Sequence, residues 1–85
     1  MKPVVLVGHA HDCPIHGKNV VKTGSPTYTF NGKSVARIGD STNCGAVIVS
    51  GSATYTVDGM GVARMGDRTD HGGELVEGDA GWQLE

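Results

Sequence analysis

Two stretches of 27 residues, Gly24–Ser50 and Gly51–Glu77, overlay without a gap and agree at fourteen positions. Gly24-Ser25-Pro26-Thr27-Tyr28-Thr29-Phe30-Asn31-Gly32 matches Gly51-Ser52-Ala53-Thr54-Tyr55-Thr56-Val57-Asp58-Gly59, and Val35-Ala36-Arg37-Ile38-Gly39-Asp40 matches Val62-Ala63-Arg64-Met65-Gly66-Asp67. Two such copies in 85 residues leave room for little else. Each must form the same small unit and bury its apolar face against a neighbour. One unlike column carries chemistry, because Cys44-Gly45 falls opposite His71-Gly72 and both side chains are metal ligands.

The ends of the chain fit the same register. Pro3-Val4-Val5-Leu6-Val7-Gly8-His9 resembles Ser34–Asp40, and after a longer loop His16-Gly17 takes the place of Cys44-Gly45. At the other end Trp82 and Leu84 fall one period beyond Tyr55 and Val57. The chain therefore reads as one domain, 1–85, with pseudo-repeats 24–50 and 51–77 and a third unit split between 1–23 and 78–85. Three such units around an axis place the seam between the termini.

Within each unit, Thr27–Phe30 and Thr54–Val57 are β-branched and aromatic, and each runs into Asn31-Gly32 or Asp58-Gly59. These dipeptides suit a type I′ hairpin turn. Further short strands are expected at Ala46–Val49 and Gly73–Val76, and no stretch keeps a helical apolar period. The expected class is all-β, built from short strands and hairpins with a pseudo-three-fold repeat. Closing three units on themselves removes the free edges that an open array would expose.

Such a body has little to fill it. Aromatic residues make up 5% of the chain, and a core of this size contributes only about 3–5 kcal/mol, so a staple is expected. Net charge is −2 with both signs interspersed, which gives no basic patch for nucleic acid. The apolar run Val4–Val7 is too short for a signal peptide or a membrane span. The chain is expected to be made in the cytoplasm and to leave, if it does, by a route that reads no N-terminal signal. In that reducing compartment Cys13 and Cys44, beside four histidines, read as ligands before they read as a disulfide.

The candidate ligands are His9, His11, Cys13, His16, Cys44 and His71. His16, Cys44 and His71 each precede a glycine in corresponding loops, and equivalent loops of a three-fold body converge on its axis. A closed structural zinc site needs one more donor, which the loop Gly8–Pro14 can supply. His11 stands first for that place, Cys13 in its Cys-x-x-His spacing second, and His9 third. His9 shares the column of Asp40 and Asp67, which favours a loop-capping role. The repeated Arg37, Arg64, Asp40 and Asp67 read as structural, forming loop hydrogen bonds or ion pairs between units that are worth little each at a surface.

The Val-Ala-Arg-x-Gly-Asp segments, the Cys-Gly and His-Gly-Gly steps, the Gly-Ser strand starts and the opening His11-Asp12-Cys13-Pro14-Ile15-His16-Gly17 resemble the PAAR-repeat proteins. Those are zinc-containing tips of type VI secretion spikes and related contractile tails. The signature itself departs, with Ser34-Val35-Ala36-Arg37 and Gly61-Val62-Ala63-Arg64 in place of Pro-Ala-Ala-Arg. The resemblance implies a pointed β cone with three histidines and one cysteine on zinc near its vertex, which carries over here to His11, His16, Cys44 and His71. Iron in place of zinc is the alternative metal.

It also implies a broad base seated on a VgrG-like trimer, one tip per trimer, with effector proteins as further partners and only a transient meeting with a membrane during puncture. No catalytic residue is expected. The rival reading is a small zinc metallohydrolase with an open coordination position and Glu74 as base. Four protein ligands would exclude it and three would revive it.

Overall fold

The computed structural model describes residues Met1–Glu85 and contains nine short strands and no helix. They are β1 (Lys2–Val4), β2 (Ala10–Cys13), β3 (Gly17–Val20), β4 (Thr29–Phe30), β5 (Lys33–Ser34), β6 (Thr56–Val57), β7 (Met60–Gly61), β8 (Glu74–Leu75) and β9 (Asp79–Leu84). The β4–β5 and β6–β7 hairpins are the two expected from the turn dipeptides. Asn31 and Asp58 take φ of 54° and 55°, with Gly32 and Gly59 at 80° and 79°. Two successive positive φ angles define a type I′ turn, and Asn and Asp tolerate the first of them at small cost.

Strands shorter than expected formed around Thr27–Phe30 and Thr54–Val57, and Ala46–Val49 contributes only isolated bridges, Ser41 with Val47 and Ile48 with Thr69. The reason is geometric. A chain that turns every few residues around an axis pairs with each neighbour only briefly before the next bend.

Three backbone bonds close a ring at the centre. Val5 N–H donates to the Ala63 carbonyl at 3.0 Å, Ala63 N–H to Ala36 at 2.9 Å, and Ala36 N–H back to Val5 at 3.0 Å. Bridges between Val4 and Arg64, Leu6 and Val35, and Arg37 and Val62 repeat the same relation. Each segment thus lends its polar backbone to the next, which satisfies groups that burial would otherwise strand.

Side chains alternate along these segments and divide the interior into two layers. Val5, Ala36 and Ala63 pack with Val21, Ile48 and Leu75 toward one end. Val4, Leu6, Val35 and Val62 pack with Val57, Phe30, Trp82 and Leu84 toward the other. β9 pairs antiparallel with β1, with Lys2 opposite Leu84 and Pro3 opposite Gln83, so the two termini run side by side.

The end beyond Phe30, Val57 and Leu84 is aromatic. Trp82 lies 5.1 Å from Tyr55, 5.9 Å from Tyr28 and 5.5 Å from Phe30 between ring centroids, and both tyrosines are exposed. Such offset and edge contacts each add roughly 0.5–1.5 kcal/mol beyond the area they cover. Three polar links fasten this end. Ser25 donates to Asp58 at 2.7 Å, Ser52 to Glu85 at 3.0 Å, and Asn31 to Asp79 at 2.6 Å.

Candidate metal centre

At the opposite end the ladder sets the register. Val21 bridges Thr42, Ile48 bridges Thr69, and Leu75 pairs with His11. His11, Thr42 and Thr69 are therefore equivalent, and two residues further on stand Cys13, Cys44 and His71. His16 was expected in that column because a glycine follows it. It belongs instead to an extension of this loop: His9–Val21 is four residues longer than Asp40–Ile48 or Asp67–Leu75, and the extra length forms the β2–β3 hairpin, with Cys13 opposite Gly17.

The hairpin folds His16 back over the axis. Cys13 Sγ lies 3.7 Å from His16 Nδ1 and 3.7 Å from His71 Nδ1, and Cys44 Sγ lies 3.8 Å from His71 Nδ1. All four donor atoms fall within 4.8 Å of one another. Around a tetrahedral zinc with bonds of about 2.3 Å to sulfur and 2.0–2.1 Å to nitrogen, a sulfur–nitrogen edge is about 3.6 Å. The donors Cys13, His16, Cys44 and His71 thus have the chemistry and the spacing to hold one metal ion. Both cysteines are free thiols.

Their surroundings differ. Cys13 is buried and Cys44 half-buried, while His16 is exposed and stacks obliquely on His71 with ring centroids 5.2 Å apart. Burial pushes the Cys44 thiol up. Hydrogen bonds from the Thr42 hydroxyl, the Ala46 backbone and His71, with Cys13 alongside, outweigh it and bring the thiol down to about 5. A sulfur already inclined to ionise gives up its proton to a metal at little cost.

His11 occupies no such position, a correction to the expected ligand set. It is wholly buried, and both ring nitrogens are spoken for. Asn19 Nδ2 donates to the Gly17 carbonyl, which turns its Oδ1 toward His11 Nδ1 at 3.2 Å, so Nδ1 carries the proton. Nε2 then accepts from Thr69 Oγ1 at 3.0 Å, and that oxygen accepts the Gly73 N–H at 3.2 Å. A Cβ on Gly73 would lie 2.4 Å from His11 Nε2, so only glycine closes over the ring. His9 caps its loop as its column suggested, since its Nδ1 accepts the Leu6 N–H at 3.0 Å where Asp40 accepts from Arg37.

The PAAR motif family profile matches residues 1–50 and again 47–77, which together take in most of the chain. The chain belongs to the PAAR motif family. No individual curated protein matches it. The signature of a PAAR protein gains a physical meaning here. Its third residue, Ala36 or Ala63, sits fully buried in the backbone ring with Val5, where neighbouring segments approach too closely for large side chains.

The arginine that ends the signature is less superficial than the sequence suggested. Asp40 accepts from the Arg37 backbone at 2.8 Å and from its guanidinium at 3.0 Å, and Arg37 reaches Asp58 of the next unit at 2.9 Å. Arg64 repeats the first pair with Asp67 at 3.0 Å and reaches the backbone carbonyl of Glu85. Arg37, Asp40, Arg64 and Asp67 are mostly buried while Asp58 is exposed, and the paired carboxylates hold both guanidinium groups above their usual range. In this PAAR chain the pairs act as loop braces and as ties between units.

Cys13, second in the expected order for the fourth place, is also marked by the repeat. Cys13 lies four residues after His9, as Cys44 follows Asp40 and His71 follows Asp67. Counting from that column finds it, whereas counting back from the glycine does not.

Proposed function

We propose that this PAAR protein is the zinc-bearing tip of a contractile secretion spike, seated by its aromatic end on a VgrG-like trimer and leading with its donor end. The observation that carries this reading is the closed ring through Val5, Ala36 and Ala63. It gives one chain three similar sides, and at one end it sets Tyr28, Tyr55 and Trp82 in equivalent places. A monomer with that layout can meet the end of a symmetric trimer with little mismatch.

At the leading end Cys13, His16, Cys44 and His71 would hold zinc, which supplies a cross-link between three loops where load arrives. The Cys13 and Cys44 sulfurs would bind as thiolates, and the two imidazoles through Nδ1. Ile15, exposed on the hairpin beside them, would be among the first residues to meet a membrane. The chain would be made in the bacterial cytoplasm and leave with the spike, and effectors would ride on its flanks.

The metallohydrolase reading is disfavoured by the same donors. Four of them within bonding reach leave no place for a reacting water, and Glu74 is paired with Arg68 at 3.8 Å. Co-purification with the VgrG-like trimer of the same operon, scored with metal content on the same sample, tests the proposal. One tip and one zinc per trimer are expected. A metal-loaded monomer that ignores every such trimer would overturn it, as would retention equal to the native chain when Tyr28, Tyr55 and Trp82 are all replaced by alanine.

A further inference from the structure

The three equivalent positions beneath the donors do different work. His11 is locked between Asn19 and Thr69, and the Thr69 hydroxyl is spent on His11 and Gly73. The third, Thr42, is buried to 1% exposure, and its hydroxyl has one partner, Cys44 Sγ at 3.2 Å. Cys13 has no hydroxyl neighbour of this kind, its sulfur facing His16 and His71. The two sulfurs of the cluster are therefore inequivalent.

We infer that Thr42 is a positioning residue of the metal centre, donating a hydrogen bond to the Cys44 sulfur that fixes its direction and tempers its charge. The inference rests on the reading of the four donors as a metal site. A metal-bound cysteine is a thiolate and can only accept, so the hydroxyl must be the donor. Such a bond is charge-assisted, and no water competes for a hydroxyl this deeply buried. The β-branch restricts χ1 and spares the site the entropy of ordering the donor. Partners that orient metal ligands are typically worth 10–100-fold in metal affinity when removed.

The test uses the full chain loaded with Co²⁺, with affinity read by chelator competition and the site by its thiolate-to-cobalt charge-transfer band. Thr42→Val keeps the shape and removes the donor. It should weaken Co²⁺ binding by about 10–100-fold and move the band to lower energy, since an unbonded thiolate gives up charge more readily. Thr42→Ser should restore both. Thr69→Val, the matched control, should leave the band where it is, because its partner is His11.

A Thr42→Val protein with native affinity and band energy overturns the inference, and so does a serine variant that fails to rescue. If the valine variant does not fold, the native chain loaded with cadmium decides the matter. A scalar coupling between the Thr42 hydroxyl proton and ¹¹³Cd supports the bond, and its absence from a well-resolved spectrum overturns it. Failure of the native chain to bind Co²⁺ at all would instead remove the metal reading itself.

Discussion

The two ends of the molecule repeat the same backbone and treat its symmetry in opposite ways. At the aromatic end the three links between units are matched: a hydroxyl or amide from Ser25, Ser52 or Asn31 meets a carboxylate from Asp58, Glu85 or Asp79. In the third link the partners trade places, since Asp79 holds the serine position and Asn31 the acid position, yet the bond survives. At the donor end the equivalent residues diverge, with His11, Thr42 and Thr69 each bonded differently and one loop lengthened to bring in His16. The same ladder supports both ends, and the aromatic face keeps its regularity. The donor face breaks the symmetry, because four donors cannot come from three equal loops.

The largest test of that contrast is to remove a donor and, separately, the histidine beneath it. Cys13→Ala should abolish stoichiometric metal binding and with it an apparent contribution of roughly 10–16 kcal/mol, so that strand CD and Trp82 fluorescence collapse together. His11→Ala should keep one metal per chain and lose only the few kcal/mol, about 1–3 per stranded group, of its buried hydrogen bonds. Metal analysis and thermal melts of the two variants side by side decide this, and the reverse order would return His11 to the ligand set.

Next in size is the brace shared by both ends. Asp67→Ala strands Arg64, whose side chain is mostly buried, and should cost about 3–5 kcal/mol in urea unfolding. A loss under about 1 kcal/mol would make it the weak surface pair that the sequence suggested. Smaller again is Gly73→Ala, whose Cβ would press on His11 Nε2 and on the Asp12 carbonyl. A cost near the 1–3 kcal/mol typical of overpacking is expected, with metal stoichiometry unchanged.

The smallest effect belongs to the aromatic end and to acid. Asp58 is held below the usual carboxylate range chiefly by the Ser25 hydroxyl, Asp79 by the Asn31 amide, and Glu85 by the Thr54 hydroxyl. A carboxylate depressed in the folded state stabilises it above the ordinary value, about 4, and that share is lost as pH falls through the lower folded value. Asp79→Asn should accordingly melt below the native chain at neutral pH, and the gap should narrow as pH drops below about 4. A gap independent of pH would show that the link needs no charge.

Much of this was legible because the period is strict. The repeat carries the all-β class and the Asn31-Gly32 and Asp58-Gly59 hairpins, and it sets Cys44 and His71 in equivalent loops. Cys13 stands only second to His11 in the sequence because the loop that supplies it is longer than its equivalents, and a register counted from Gly17 slides past it. The role of His11 is hidden for a different reason. What disqualifies it is a chain of hydrogen bonds through Asn19, Thr69 and Gly73, and nothing local to His11 announces partners 58 positions away in the sequence. The arginines read as surface residues because sequence alone does not show that Arg37 is tied to Asp58 and Arg64 to Glu85 across the boundaries between units.

The side-by-side run of β1 and β9 makes the location of the chain break incidental to the architecture. A circular permutant, with Glu85 joined to Met1 by a short linker and new ends opened ahead of Gly24 or Gly51, would thread the same ring in a different order. Such a molecule would offer new points of covalent attachment on each flank in turn, while leaving the donor end and the aromatic end as they are.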